Sequence, residues 1–250
     1  VTGVEIGRDM TLEELRERHT LLFLGMGAQG GRRLGVEGEA GRGVMPGIDY
    51  LARRKLGVRQ DLGTHVVVVG GGNTAMDAAR SARRDGAEVM VLYRRGREEM
   101  PAAAGEIEDA QAEGVRFEFL ATPLRILRDG GAVAAVEVQR MRLGAPGPDG
   151  RRRPEPVPGD TYRIEANTVL VAVSQAPDWQ GITGEDGGRK WLHTESDGRL
   201  AEDLWAGGDD RGPGIASRAI AQGRLAAEAA HAQLRGEPTP EPWTSRPAVD

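Results

Sequence analysis

The chain has 250 residues, no cysteine and a formal net charge of −5, with 39% hydrophobic and 28% charged residues. That length can bury one large core or two modest ones, and so mild an acidity gives the molecule as a whole no attraction to nucleic acid or to an anionic membrane. Without cysteine there is no disulfide, thiolate metal site, iron–sulfur ligation or Cys-x-x-Cys redox pair, so electrons cannot leave through the chain's own sulfur chemistry.

Residues 11–19, TLEELRERH, suit a short amphipathic helix with Leu12 and Leu15 turned inward. Residues 21–24, LLFL, read as a buried strand entering a G-x-G-x-x-G match at Gly25, Gly27 and Gly30. The next stretch, residues 31–47, is too rich in glycine for the crossover helix that a phosphate site needs, so this match reads as a strand-end turn. Residues 48–56, IDYLARRKL, form a helix ended by Gly57, and 61–64 a linker.

Residues 66–69 are four valines, a β-branched run too short for a helix, and they stop at Gly70-Gly71-Gly72. This is a buried parallel strand entering a tight turn. A helix comes next, which Asn73 or Thr74 can cap; Ala75, Ala78, Ala79 and Ala82 give it a thin face, and Gly86 ends it. Residues 88–93, EVMVLY, are a second strand. Strand, G-x-G-x-x-A, helix and strand make the dinucleotide-binding βαβ unit. Gly70 permits the turn, Gly72 admits a pyrophosphate to the backbone, and the helix N-terminus offers N–H groups and partial positive charge. At the second strand's end, where an NAD site carries a carboxylate, stand Arg94 and Arg95, with Arg97 beyond. Guanidinium groups there grip a 2′-phosphate, which points to NADP(H).

Residues 100–114 read as a helix with Pro101 in its first turn; its Glu106, Glu108, Asp109 and Glu113 are a solvated face rather than acid–base groups. Residues 115–120 are a third parallel strand. Short extended runs at 123–127, 132–141 and 161–164 suggest an antiparallel meander, with 143–160 a solvated hairpin tip. Residues 168–173 return as a buried strand. Ser174 and Gln175 open the loop at its carboxyl end, where ligands bind in open parallel sheets. After an aperiodic stretch, 204–206 form a last strand ending in Gly207-Gly208-Asp209. Residues 215–236 are the longest helix, its start just past Gly214 and able to face an anionic or carbonyl-bearing ligand. The proline-rich tail from 237 is expected to be extended. The four histidines have no i, i+4 partner, so zinc is not expected; G-x-S-x-G and phosphate-loop motifs are absent. No apolar run nears the ~20 residues of a membrane span and no signal-peptide pattern opens the chain, so the expected location is cytoplasmic.

In that order, TLEELRERHTLLFLGMGAQ, GRGVMPGIDYL, VVVVGGGNTAMDAAR, VLYRRGREEMPA, EGVRFEFLATPLRIL, VSQAPD and LWAGGDDRGPG with AIAQGRLAA run nearly the whole chain. Together they resemble the NADPH-dependent FAD oxidoreductases typified by the glutamate synthase small subunit, which are pyridine nucleotide-disulfide oxidoreductase-like. The resemblance implies an α/β fold: a Rossmann-like NADP(H)-binding domain with an antiparallel β-meander, inserted in an FAD-binding domain. Residues 61–173 would be the insert and 1–60 with 174–250 the FAD domain. That domain is expected to be incomplete, since the family's N-terminal strand, G-x-G-x-x-G and helix have no counterpart here.

By the same resemblance, Gly70, Gly71, Gly72, Asn73 and Thr74 meet the pyrophosphate and Arg94 and Arg95 the 2′-phosphate. Gly208 and Asp209 meet the flavin's ribityl-phosphate arm, and Gly214, Ile215 and Ala216 approach the isoalloxazine carbonyl. The implied cofactors are NADP(H) and FAD, with hydride passing between them and electrons going on to an iron–sulfur or other electron-transfer subunit. No catalytic side chain is required. A second reading is an NADP(H)-binding module that docks in a larger complex without turning over.

Overall fold

Val66 to Val69 sit at the centre of a five-stranded sheet in the computed structural model, which describes residues 2–147, 150–179, 182 and 191–239. The chain first forms helix α1 (Leu12–Arg18) and strands β1 (Leu22–Leu24), β2 (Gly30–Gly31) and β3 (Val44–Pro46), then helix α2 (Gly47–Lys55). Strand β4 (His65–Val69), helix α3 (Asn73–Arg84) and strand β5 (Glu88–Tyr93) follow, then helix α4 (Ala104–Ala112) and strand β6 (Arg116–Phe119). A meander of β7 (Ala121–Asp129), β8 (Ala132–Pro146) and β9 (Arg152–Glu165) leads to β10 (Thr168–Val171) and β11 (Gln175–Ala176). Strands β12 (Arg199–Ala201) and β13 (Leu204–Ala206) and helix α5 (Ala216–Arg235) complete the described elements. Two compact units result: residues 31–174, and residues 1–30 with 175–250.

In the 31–174 unit the sheet order is β3-β10-β4-β5-β6, every pairing parallel. Side chains alternate across a strand, so the valines of β4 serve two cores. Val66 and Val68 join Ala75, Ala79, Ile107 and Tyr50 on the helical side, while Val67 and Val69 join Val136, Val138 and Ile126 of the meander. Each buried valine is worth about 1.5–3 kcal/mol. The alanines of α3 at 75, 78, 79 and 82 are fully buried, which brings the helix axis close over the sheet and its N-terminus to the carboxyl ends of the strands.

The other unit is smaller in regular structure. Strand β1 runs parallel to β13, and β12 pairs antiparallel to β13. Leu12 of α1, Leu204 and Ile182 form its core with Ile6, Leu22, Leu24 and Met26 around them. A capping box between Thr11 and Glu14 starts α1, and Gly236 in the left-handed region (φ 67°) ends α5. No helix among the described residues is long and apolar enough to cross a membrane.

Four expectations are corrected. The boundary expected after residue 60 falls at Gly30/Gly31 instead, because β3 pairs with β10 and so belongs to the five-stranded sheet. The helix expected over 100–114 begins only at Ala104, since the Ala102 N–H donates to the Gly71 carbonyl (3.1 Å) and holds Pro101 in a loop. The solvated tip expected over 143–160 is mostly strand: β8 and β9 stay paired as far as Pro146 and Arg152. The strand β1 was expected to be buried, yet Phe23 at its middle is half exposed. The extended tail expected from 237 lies, from residue 240, outside the described residues, as does most of 180–190.

Candidate nucleotide site

Gly70, Gly71 and Gly72 link β4 to α3, and each is glycine for a different reason. Gly70 has φ 146°, and a Cβ on it would stand 2.2 Å from the Ala172 carbonyl oxygen. A Cβ on Gly71 would meet the Tyr93 ring at 2.5 Å. Around Gly72 the nearest atom is Pro101 Cγ at 3.9 Å, and its backbone is extended (φ −94°, ψ 177°). Packing within the protein accounts for the first two glycines. It does not account for the third, where the space a side chain would fill stays open.

Gly72 is also the N-cap of α3, and no side chain caps that helix. Asn73, expected as a cap, instead accepts the Ala103 N–H on Oδ1 at 3.0 Å, and Thr74 lies within the first turn. The Ala75 N–H turns back to the Gly72 carbonyl at 2.9 Å, which leaves the Asn73 and Thr74 N–H groups without an acceptor among the described residues next to the open space at Gly72, an arrangement suited to phosphate.

The two arginines at the end of β5 have different surroundings. Arg94 is exposed and has no hydrogen bond or ion pair among the described residues. Arg95 is only 9% exposed. Its Nε donates to the Arg152 carbonyl at 2.7 Å, its terminal nitrogens take no acceptor among the described residues, and it forms no ion pair among them. Removing a guanidinium from water costs several kcal/mol unless a counter-charge is supplied. Among the described residues the protein supplies it a carbonyl and no carboxylate.

The loop after β5 is tied down on all sides. The Tyr93 hydroxyl donates to the Glu99 carbonyl at 2.6 Å, and the Gly96 N–H donates to Glu99 Oε2 at 3.1 Å. Arg152 reaches Glu99 Oε1 with Nε at 2.8 Å and Nη2 at 2.7 Å. Leu120 holds φ 53°, a conformation rarely adopted by a residue with a side chain, and its N–H donates to the Arg95 carbonyl at 3.1 Å. The sequence reading passes over Glu99, for which the only signal is its place directly before Met100-Pro101, and counts Arg152 among the arginines of a solvated hairpin tip.

In the other unit the G-x-G turn at Gly25–Gly27 is closed from within. Asp210, fully buried, accepts the N–H groups of Met26 (3.1 Å) and Gly27 on its carboxylate. Its neighbour Asp209 accepts the Gly214 N–H at 3.0 Å, and the Gly208 N–H donates to Gln222 Oε1 at 2.8 Å. Burial, more than the charge of Asp209, pushes the Asp210 carboxyl above its ordinary range, against the pull of its two N–H donors. Gly214, Ile215 and Ala216 are exposed at the uncapped start of α5. Ser174 is exposed and its carbonyl accepts the Arg32 N–H, while Gln175 is half-buried in β11.

A family model described as pyridine nucleotide-disulphide oxidoreductase matches residues 4–223. The chain belongs to that family. Among curated relatives of this chain, the NADPH-Fe(3+) oxidoreductase subunit beta of Geobacter sulfurreducens is 49% identical over 183 residues, 71% of this chain and 27% of that protein. The NADP(+)-dependent formate dehydrogenase subunit beta of Moorella thermoacetica is 39% identical over 93% of this chain and 34% of its own length. The glutamate synthase [NADPH] small chain of Halomonas elongata is 39% identical over 90% of this chain and 52% of its own length. The chain thus spans about a quarter to a half of the relatives it matches. In fold it is similar to Mycobacterium tuberculosis FprA in complex with NADPH (TM-score 0.76, 21% identity, 93% of this chain, 68% of that one). It is also similar to the thioredoxin reductase of T. acidophilum (TM-score 0.66, 19% identity, 86% and 66%).

Proposed function

We propose that this chain is part of an NADPH-dependent flavin oxidoreductase that takes electrons from NADPH and passes them to a partner electron-transfer subunit, such as an iron–sulfur protein. The observation that carries the reading is Arg95, buried and without an ion pair among the described residues, beside exposed Arg94, at the same strand ends as the open space of Gly72. A 2′-phosphate supplies the missing counter-charge and a pyrophosphate occupies the space. The residues therefore fit NADP(H): Gly72 and the start of α3 hold the pyrophosphate, with Gly70, Gly71, Asn73 and Thr74 shaping the turn, and Arg94 and Arg95 hold the 2′-phosphate.

For FAD the described residues fit in part. The start of α5 is free to meet a ligand carbonyl, with Gly208 and Asp209 setting the loop that leads to it. When bound, the two cofactors supply hydride transfer between nicotinamide and flavin, and the protein supplies position and electrostatics. Names of the relatives as beta subunits and small chains support a multi-subunit partner, and use of NADPH suits the cytoplasm. The closure of the Gly25–Gly27 turn by Asp210 favours a second reading, an NADP(H)-binding module that does not turn over alone. Anaerobic titration of the purified protein with NADPH separates the two. Bleaching of a yellow chromophore supports the oxidoreductase, whereas a colourless protein that still binds NADP(H) supports the module; no binding of either cofactor would overturn both.

A further inference from the structure

The meander packs on the face of the sheet opposite the helices, and its long hairpin reaches the loop after β5 at Arg152. Arg152, at the start of β9, makes two contacts of opposite kind there. Its backbone carbonyl accepts Arg95 Nε, and its guanidinium reaches Glu99 Oε1 with two nitrogens; a longer contact of 4.0 Å runs to the exposed Glu98. Glu99 is a buried carboxylate, 8% exposed, four residues from the buried cation Arg95. Left to themselves, a buried carboxylate and a buried guanidinium in one loop would pair, because each lowers the other's desolvation cost. They do not pair here: Glu99 is matched by Arg152 from the hairpin, and Arg95 keeps its terminal nitrogens without a partner among the described residues.

We infer that Arg152 is a positioning residue for coenzyme selectivity: by neutralising Glu99 it keeps Arg95 available for an external dianion, the 2′-phosphate of NADP(H). The inference rests on the nucleotide reading above. It assigns to the hairpin a part in selectivity that the strand end alone does not supply. Arg152 need not touch the nucleotide, and its effect passes through Glu99 and Arg95.

The test is a double-mutant cycle read by binding, using calorimetry with 2′,5′-ADP, which carries the 2′-phosphate, and with 5′-ADP, which lacks it. Arg152→Ala should weaken 2′,5′-ADP about tenfold, the size of coupling usual within one charge network, and leave 5′-ADP unchanged. Glu99→Gln added to Arg152→Ala should restore most of the 2′,5′-ADP affinity, because the competing carboxylate is gone. Arg152→Lys should lie between wild type and Arg152→Ala. A purely structural role for Arg152 gives the opposite result: the double variant loses more than either single variant, and both ligands weaken together. Should Arg152→Ala fail to fold, the same comparison between Arg152→Lys and Arg152→Lys with Glu99→Gln decides the matter by the same sign. A wild-type protein that binds 2′,5′-ADP no better than 5′-ADP would sink the nucleotide reading itself, a result distinct from a failed cycle.

Discussion

The chain holds two glycine turns of the same G-x-G form, each following a short strand, and they have opposite fates. At Gly70–Gly72 the turn runs into a helix whose N-terminal N–H groups have no side-chain cap. At Gly25–Gly27 no helix comes next, and the N–H groups of Met26 and Gly27 are taken by the buried carboxylate of Asp210. A glycine turn is thus a set of donors that something must satisfy. Water, a backbone carbonyl, a ligand or the protein's own anion can do so, and the local sequence carries the difference only in the residues just C-terminal to the glycines.

The largest effect expected at the open turn is on folding. Gly70→Ala adds a Cβ 2.2 Å from the Ala172 carbonyl oxygen at φ 146°, so both space and backbone refuse it. We expect a loss of about 4 kcal/mol or more, read as a collapse of the denaturant midpoint. Next comes the pair of arginines. Arg94→Ala with Arg95→Ala should weaken NADPH binding by about a hundredfold or more, as two charge-assisted contacts of about 1.5–3 kcal/mol each imply, and barely change NADH binding. Equal losses for both coenzymes, measured by fluorescence titration, would remove the 2′-phosphate assignment.

Gly72 gives a smaller and cleaner contrast with Gly70. Its backbone is extended and its surroundings are empty to 3.9 Å. Gly72→Ala should therefore leave the unfolding free energy within about 0.5 kcal/mol of wild type, while a methyl group in the phosphate's path weakens nucleotide binding about tenfold. Stability lost without any loss of binding would mean that the open space serves no ligand.

Much of the open turn was legible in the sequence because its physics is local. A short run of valines, thin alanines and glycine punctuation specify strand, turn and helix within some twenty residues, and β5 spans Glu88–Tyr93 just as its pattern reads. The features that were not legible depend on distant partners. Nothing in Gly208-Asp209-Asp210 tells which aspartate is buried until the turn at residues 26–27 is brought beside it. Arg152 was hidden in a run whose prolines read as loop. In fact β9 is the outer strand of the order β7-β8-β9, where Pro154 and Pro156 cost fewer ladder bonds than in a central strand. Arg95 in turn donates to the Arg152 carbonyl of that hairpin, a partner far away in sequence.

The closed turn supplies the smallest effect and the one with a distinctive pH signature. Burial raises the Asp210 carboxyl above its ordinary range, outweighing the two N–H donors that pull it down. A carboxyl whose folded-state pKa lies above the unfolded value of about 3.9 binds its proton more tightly when folded. Its contribution to stability is fully present below that unfolded value and is lost as the pH rises through the raised one. Asp210→Asn keeps one acceptor for two N–H groups and does not titrate. The advantage of wild type over the variant should therefore be greatest near pH 4, at about 1 kcal/mol for one hydrogen bond, and shrink toward pH 7. Urea unfolding of both proteins across that range measures it. An advantage that grows with pH would instead mean that the N–H groups of residues 26 and 27 hold the ionised carboxylate as tightly as they would hold a phosphate, and the two turns would then differ only in where their anion comes from.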